Sequence, residues 1–316
     1  MMFVARCLGV SLAVFILLYV FSSFAVSRVW KWFWRALRPG SAGGAADLLF
    51  FLRILPPGLS TVFTLAITVP SFLILEPHST DEAIGTVPIT LGLCCLAFLA
   101  AGCVHAVLAQ RRTSRAIAQW LCGSSVMETS GSVPVLKTAD GAPSFTVAGV
   151  CAPRVLVSEA AVAALSASEL QTALRHEMAH ARRHDNLKKL VFRLTVFPGM
   201  SKLEGAWSEQ TEMAADDGAV SCLRDALDLA AALIKVSRLS SWQPPAALTT
   251  ALLHSSTALS ARIQRLFNWD QKPEPLMRQR RWWYVSIGAT AITICFVLTY
   301  SSMLTGMHAV TEWLVR

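Results

Sequence analysis

The segment His176-Glu177-Met178-Ala179-His180 places two histidines four residues apart, with a glutamate directly after the first. If the segment is helical, both imidazoles lie on one face, about 6 Å apart along the axis. Two histidines at this spacing can bind one zinc ion, and the glutamate beside them can take a proton from water. The pattern therefore indicates zinc-assisted hydrolysis of an amide bond, with Glu177 as the catalytic base.

The residues around this segment predict the helix that must position it. Ser166 and Glu169 fit a capping box that would begin the helix. Gly and Pro are absent from residues 154–197, and Pro198-Gly199 follows. We therefore expect one continuous helix that carries the motif and extends to Phe197.

A third zinc ligand has to come from another part of the chain. His184 follows His180 by four residues. On a continuous helix it lies about 12 Å from His176, so these three side chains cannot meet one ion. A chain reversal would be needed to change this, and no glycine turn separates the motif from His184.

A second predicted helix, Leu203–Leu223, offers carboxylates as ligands. Glu212 and Asp216 lie four residues apart and therefore on one face. Glu212 could bind the zinc ion, and Asp216 could orient a ligand histidine. The spacing leaves an alternative open, in which the acids of this helix, Glu209 and Asp217 among them, form a solvated face.

The run Leu174–Leu187 resembles the core of the BlaR/MecR-type integral-membrane metallopeptidases, the signalling proteases of beta-lactam resistance. The segment Glu212–Asp216 is similar to the second motif of that family, which HtpX-type membrane proteases share more distantly. The resemblance covers residues 130–225 in detail. It implies that the zinc ligands are His176, His180 and Glu212 rather than Glu209, and that Asp216 is the partner of a ligand.

The resemblance also implies a fold, a cofactor and a function. The fold is a multi-pass α-helical membrane protein with a cytoplasmic α+β, zincin-like metallopeptidase domain of the gluzincin type, and the cofactor is Zn²⁺. The implied function is a zinc endopeptidase of the bacterial inner membrane that acts in signalling. Its substrate would be a cytoplasmic protein or peptide, such as a winged-helix repressor or the chain itself, and a homodimer is compatible with this function.

A membrane signalling scaffold that keeps the zinc site without proteolysis is the alternative function. A structural zinc site needs ligands but no base, so the presence of Glu177 favours the enzyme. The oxyanion donor of that enzyme could be His184, His254 or an arginine, because all three tyrosines lie in predicted membrane spans.

The composition independently indicates a membrane protein. Hydrophobic residues make up 54% of the chain, charged residues make up 15%, and the mean hydropathy is +0.49. We expect the first apolar stretch to be an uncleaved span rather than a signal peptide, because basic residues follow it directly. Almost no ionisable residues occur in the spans, which argues against a transporter. The four stretches long enough to cross a bilayer are Leu8–Val26, Pro57–Leu75, Pro88–Ala109 and Trp283–Leu304.

The charges between the spans predict their orientation. Basic residues follow the first and third spans and precede the fourth, whereas residues 76–87 contain acids and no Lys or Arg. The positive-inside rule then places residues 27–56 and 110–282 in the cytoplasm and both termini outside. The predicted domains are a membrane region, 1–109, a cytoplasmic zinc metallopeptidase domain, 110–282, and a last span with a short extracytoplasmic tail, 283–316. That tail is too short for the penicillin-binding sensor domain of the BlaR/MecR-type proteins, so we expect no direct beta-lactam sensing.

The expected partners are the lipid bilayer and a protein or peptide substrate. The net charge of +8 comes largely from basic residues at membrane edges, where they can meet anionic lipid head groups. No nucleic-acid motif is present, so we expect no direct binding of nucleic acid. Residues 133–157 predict a small sheet with a hairpin turn at Asp140-Gly141, and a substrate strand could add along Ser144–Val150.

Overall fold

The computed structural model describes residues 2–37, 40–76, 85–122, 124–127, 133–138, 143–239, 250–251, 256–269 and 296–313. Contacts between residues divide the chain into two compact units. The first unit consists of Met1–Val26, Leu55–Ala100 and Lys272–Arg316, and the second of Ser27–Ile54 and Ala101–Gln271. The motif at 176–180 therefore belongs to the second unit.

Long apolar helices form the N-terminal part of the chain. They are α1, Met2–Leu37; α2, Ala42–Phe63, which continues through a π-helical turn at Thr64–Thr68 into α3, Val69–Leu75; and α4, Thr86–Leu121. These three helical stretches are long and apolar enough to cross a membrane, and they contain the first three predicted spans. Most of the fourth predicted span, 283–304, lies outside the described residues. Residues 296–313 are described, and they form a helix.

The helix that contains the second predicted span begins before that span. The predicted span starts at Pro57, whereas α2 begins at Ala42 and includes both Pro56 and Pro57. Proline lacks an N–H group and usually ends or kinks a helix. Side-chain hydroxyls add hydrogen bonds to the turn that contains the prolines, from Ser60 to the Pro56 carbonyl and from Thr61 to the Pro57 carbonyl, both at 2.8 Å.

The first unit is held together by apolar packing and a few buried polar contacts. The hydroxyl of Ser71 donates to the carbonyl of Leu304 at 2.8 Å. Arg6 and Glu76 form a buried ion pair at 2.9 Å. The apolar residues of this core are Cys7, Val10, Val14, Ile67, Phe72, Leu304 and Met307.

A five-stranded sheet forms one layer of the second unit. Its strands are β1, Ser125–Val126; β2, Val135–Thr138; β3, Phe145–Ala148; β4, Arg154–Ser158; and β5, Thr250–Ala251. They lie side by side in the order β1-β2-β4-β3-β5. β2 runs parallel to β4, and β3 pairs antiparallel with β4 on one side and with β5 on the other.

The predicted hairpin at Asp140-Gly141 is wrong. It would pair β2 with β3, but β4 lies between them, and residues 139–142 fall outside the described ranges. The hairpin of this sheet joins β3 to β4. Gly149 permits its turn, because φ there is +97° and a Cβ atom would lie 2.5 Å from the Ala152 carbonyl oxygen.

Six further helices of the second unit lie within the described residues. They are α5, Glu159–Ala164; α6, Ala167–Arg182; α7, Asp185–Leu194; α8, Ser201–Ala219; α9, Leu223–Leu239; and α10, Ser256–Phe267. The predicted capping box at the start of α6 is confirmed, since Ser166 and Glu169 each accept the other's backbone N–H. Fully buried apolar side chains of the strands, such as Val155 and Val157, share one core with Leu229 and Leu233 of α9.

The prediction of one continuous helix to Phe197 is also wrong. The helix α6 ends at Arg182, and α7 begins after His184, whose φ of +53° lies in the left-handed region. Histidine is among the non-glycine residues that enter this region most readily. The side-chain amide of Asn186 fixes the new direction by donating to the carbonyls of Val147 and Gly149, at 2.9 and 3.0 Å.

The first part of α2 packs against α7 within the second unit. The guanidinium of Arg53 is buried and donates to the Thr195 carbonyl at the C-terminal end of α7, and it pairs with Glu204 at 2.8 Å. Asp47, two turns earlier, pairs with Arg183 at 2.8 Å and with Lys188 at 3.4 Å. Both ends of α7 are therefore held by one face of α2.

Candidate metal centre

Three buried side chains from two helices converge at the predicted motif. His176 and His180 lie on α6, and Glu212 lies on the facing helix α8. The two helices approach closely, since a Cβ atom at Gly218 would lie 3.2 Å from the Cβ atom of Ala179. The Nε2 atoms of the two histidines are 3.2 Å apart, and each lies 3.6 Å from an oxygen of Glu212.

These separations fit a tetrahedral zinc ion. Ligand atoms at about 2.0–2.2 Å from such an ion are separated by about 3.3–3.6 Å from one another. The observed separations of 3.2 and 3.6 Å are close to this range of ligand-to-ligand distances. If these three side chains bound a tetrahedral ion, one position would remain open, which is the arrangement of catalytic rather than structural zinc sites. Within the described part of the chain this is the one group of three His, Cys, Asp or Glu side chains so arranged.

Each histidine has a carboxylate at its other ring nitrogen. Nδ1 of His176 lies 3.0 Å from Oδ1 of Asp216, and Nδ1 of His180 lies 2.8 Å from Oδ2 of Asp185. Both carboxylates are buried. A carboxylate in this place holds the ring so that Nε2 faces the metal, and it makes that nitrogen more basic.

An arginine that the sequence patterns do not reveal completes the site. The guanidinium of Arg262, on α10, donates to both oxygens of Asp216 at 2.6 and 2.9 Å, and to Oε2 of Glu212 at 2.9 Å. Its side chain is almost fully buried. Arg262 lies about fifty positions after Glu212, so neither helical periodicity nor a local motif connects the two.

Glu177 occupies a different environment from the other carboxylates of the site. It is fully buried, and neither of its oxygens has a hydrogen-bond partner among the described residues. Burial raises the pKa of Glu177. A carboxylate that is costly to keep charged accepts a proton readily, which suits a general base.

A family comparison decides what this site belongs to. The family model for the BlaR1 peptidase M56 matches residues 75–266, from α3 to α10. The chain belongs to the BlaR1 peptidase M56 family. The predicted resemblance to BlaR/MecR-type proteins is thereby confirmed, whereas none of the curated proteins matches the chain. An M56 peptidase with three apolar helices and a buried group of two histidines and a glutamate is consistent with a membrane metallopeptidase.

The charged groups of this M56 peptidase shift one another's pKa values. Burial acts to raise the pKa of Asp216, but Arg262 and His176 together outweigh it and hold that pKa at about 2. Burial also acts to raise the pKa of Glu212. The charges of His180 and Arg262 outweigh it and keep that pKa well below its usual value. Burial acts to lower the pKa of His180, but Glu212 and Asp185 raise it to about 10. A protonated histidine must lose its proton to bind a metal, so metal binding and proton release are coupled.

The remaining predicted residues lie outside this group. Glu209 is exposed, whereas Glu212 and Asp216 are buried, so the solvated-face alternative does not describe these two acids. His184 is exposed at the turn between α6 and α7 and is not one of the converging side chains. His254, the other candidate oxyanion donor, lies outside the described residues.

Proposed function

We propose that this M56 peptidase is a membrane-bound zinc endopeptidase that cleaves cytoplasmic proteins. The observation that carries the proposal is the buried base Glu177, one position from a ligand histidine and without a hydrogen-bond partner among the described residues. A purely structural metal site would require ligands but would not require such a base.

The side chains of the site would divide the work of peptide hydrolysis between them. His176, His180 and Glu212 would hold the zinc ion, while Asp216 and Asp185 orient the two imidazoles. When bound, zinc lowers the pKa of water and polarises the peptide carbonyl. Glu177 would take the proton of the attacking water at its carboxylate and pass it to the leaving amine.

The sheet supports a proposal for how an extended substrate binds. β3 contacts α6, and it pairs antiparallel with β5 along its other edge, Thr146 with Ala251 and Val147 with Thr250. A segment of chain can therefore add to β3 as a strand next to the helix that carries the motif. We propose that substrates use this edge by taking the place of β5, and the position of β5 supports the chain itself as one substrate.

The orientation and the partners are proposals as well. The cytoplasmic location of residues 110–282, in a bacterial inner membrane, is supported by basic residues next to the predicted spans. A zincin-like domain of the gluzincin type, a winged-helix repressor as substrate and a role in signalling are supported by membership of the M56 family. The non-proteolytic scaffold is the competing function, and a homodimer is compatible with either.

The test compares the detergent-purified protein with Glu177→Gln, which keeps the shape of the side chain but removes the base. We expect equal zinc content in both proteins, and cleavage of a peptide library or of the chain itself that is about 10²- to 10⁴-fold slower in the variant. Equal cleavage by both would refute Glu177 as the base. Zinc in both without any cleavage would favour the scaffold, and absence of zinc from the parent protein would refute the metal site.

A further inference from the structure

We infer that Arg262 is a positioning residue that holds the Glu212 carboxylate in the orientation of a metal ligand. The inference rests on the proposed zinc site and extends it to a residue that does not touch the metal. The guanidinium of Arg262 donates to two carboxylates of α8. Glu212 would be a metal ligand, and Asp216 lies beside the ligand histidine His176.

The guanidinium of Arg262 fixes the Glu212 carboxylate between the two histidines. Oε2 accepts a hydrogen bond from Nη1 of Arg262 at 2.9 Å and lies 3.6 Å from Nε2 of His176, while Oε1 lies 3.6 Å from Nε2 of His180. A charge-assisted hydrogen bond fixes the plane of the carboxylate that accepts it. Arg262 therefore holds the Glu212 carboxylate in a plane that faces both histidines.

Arginine is the side chain that can hold both carboxylates together. Three of its nitrogens take part, Nε and Nη2 on Asp216 and Nη1 on Glu212. The planar guanidinium offers its donors in a fixed fork, whereas a lysine has a single nitrogen on a flexible stem. A lysine at this position could keep a positive charge near Asp216 but could not hold the Glu212 carboxylate in its plane.

Charge gives Arg262 a second role. Glu212 and Asp216 are both buried, and the guanidinium that bridges them offsets negative charge without being able to lose its proton.

The fold of α10 does not depend on Arg262 alone. Leu266, one turn later, is fully buried in the core of the second unit, and Ile263 packs against the same core. The next arginine along the helix, Arg265, pairs with Asp217 on α8 and therefore joins the same two helices outside the metal site. This gives a matched control: Arg265→Lys changes the same residue type on the same pair of helices.

The experiment measures metal binding by the full-length protein in detergent, without a proteolysis assay. Zinc affinity is obtained by competition with a chelator, and the cobalt-substituted protein reports ligand geometry through its visible absorption spectrum. We expect Arg262→Lys to bind zinc about 10- to 100-fold more weakly and to change the cobalt spectrum, while Arg265→Lys stays within about twofold of the parent and keeps the spectrum.

A double-mutant cycle separates positioning from general stabilisation. In a Glu212→Gln background the ligand that Arg262 positions is already lost, so Arg262→Lys should weaken zinc binding by less than about threefold more. Equal losses in both backgrounds, an unchanged cobalt spectrum, or loss of helical circular dichroism in Arg262→Lys but not in Arg265→Lys would overturn the inference. Absence of zinc from the parent protein would refute the proposed function instead, so the two failures are distinguishable.

Discussion

Replacing Asp185 with asparagine tests the carboxylate that the break between α6 and α7 brings to His180. The two side chains are buried, and Oδ2 of Asp185 lies 2.8 Å from Nδ1 of His180. Losing a partner of this kind typically weakens metal binding by about 10- to 100-fold. Lys188 and Arg183 lie 3.6 and 3.9 Å from the other oxygen and already offset part of its charge. We therefore expect a loss of about 10- to 30-fold in zinc affinity, or about 1.4–2 kcal/mol.

The assay is chelator competition for zinc at one pH, with Asp47→Asn as the control. Asp47 pairs with the same two cations, Arg183 at 2.8 Å and Lys188 at 3.4 Å, but it is exposed and does not reach His180. We expect Asp47→Asn to bind zinc within about twofold of the parent protein. Zinc affinity of Asp185→Asn within the same twofold range, or an equal loss in both variants, would refute the reasoning.

Three further results are expected. The pKa of His180 without metal is about 10, so zinc must displace at least one proton when it binds near neutral pH. Zinc affinity should therefore fall about tenfold or more for each pH unit from pH 8 to pH 6. A zinc affinity that does not change with pH would contradict this. Gly102→Ala should destabilise the protein by about 1–3 kcal/mol and lower its melting temperature, because the added Cβ atom would collide with the carbonyl oxygen of Leu194. Gly205→Ala is the control: its Cβ atom would lie in open space on α8, so it should raise the melting temperature slightly. Arg53→Gln should cost about 2–4 kcal/mol in thermal unfolding, because it removes the buried guanidinium that donates to the Phe192 and Thr195 carbonyls at the end of α7 and pairs with Glu204. A cost below about 0.5 kcal/mol would show that water replaces it.

The parts of the site that repeat at helical spacing could be predicted from the sequence. His176 and His180 share a face because they lie four residues apart on one helix, and the same periodicity places Glu212 and Asp216 together. The capping box at Ser166 follows from side chains that are neighbours in the chain. Each of these predictions requires only local geometry.

The parts that depend on distant contacts could not be predicted in this way. A left-handed His184 has no unique sequence signal, and without the turn that it makes, Asp185 would not face His180. Arg262 comes from a helix whose place is decided by packing in the core. The predicted hairpin between β2 and β3 was wrong for the same reason. Asp140-Gly141 indicates only a local preference for a turn, whereas the parallel pairing of β2 with β4 follows from the tertiary structure.

The contact between α2 and α7 has a consequence for any attempt to isolate the peptidase. The compact unit that holds the metal site includes Ser27–Ile54, so it is not one continuous stretch of chain. A truncated chain that began at residue 110 would lack Arg53 and Asp47, and it would expose the apolar surface of α7 around Phe192 to water. A separate peptide of residues 27–54 would cover that surface again. Complementation between the two fragments, rather than the behaviour of either alone, would therefore define the smallest folded peptidase.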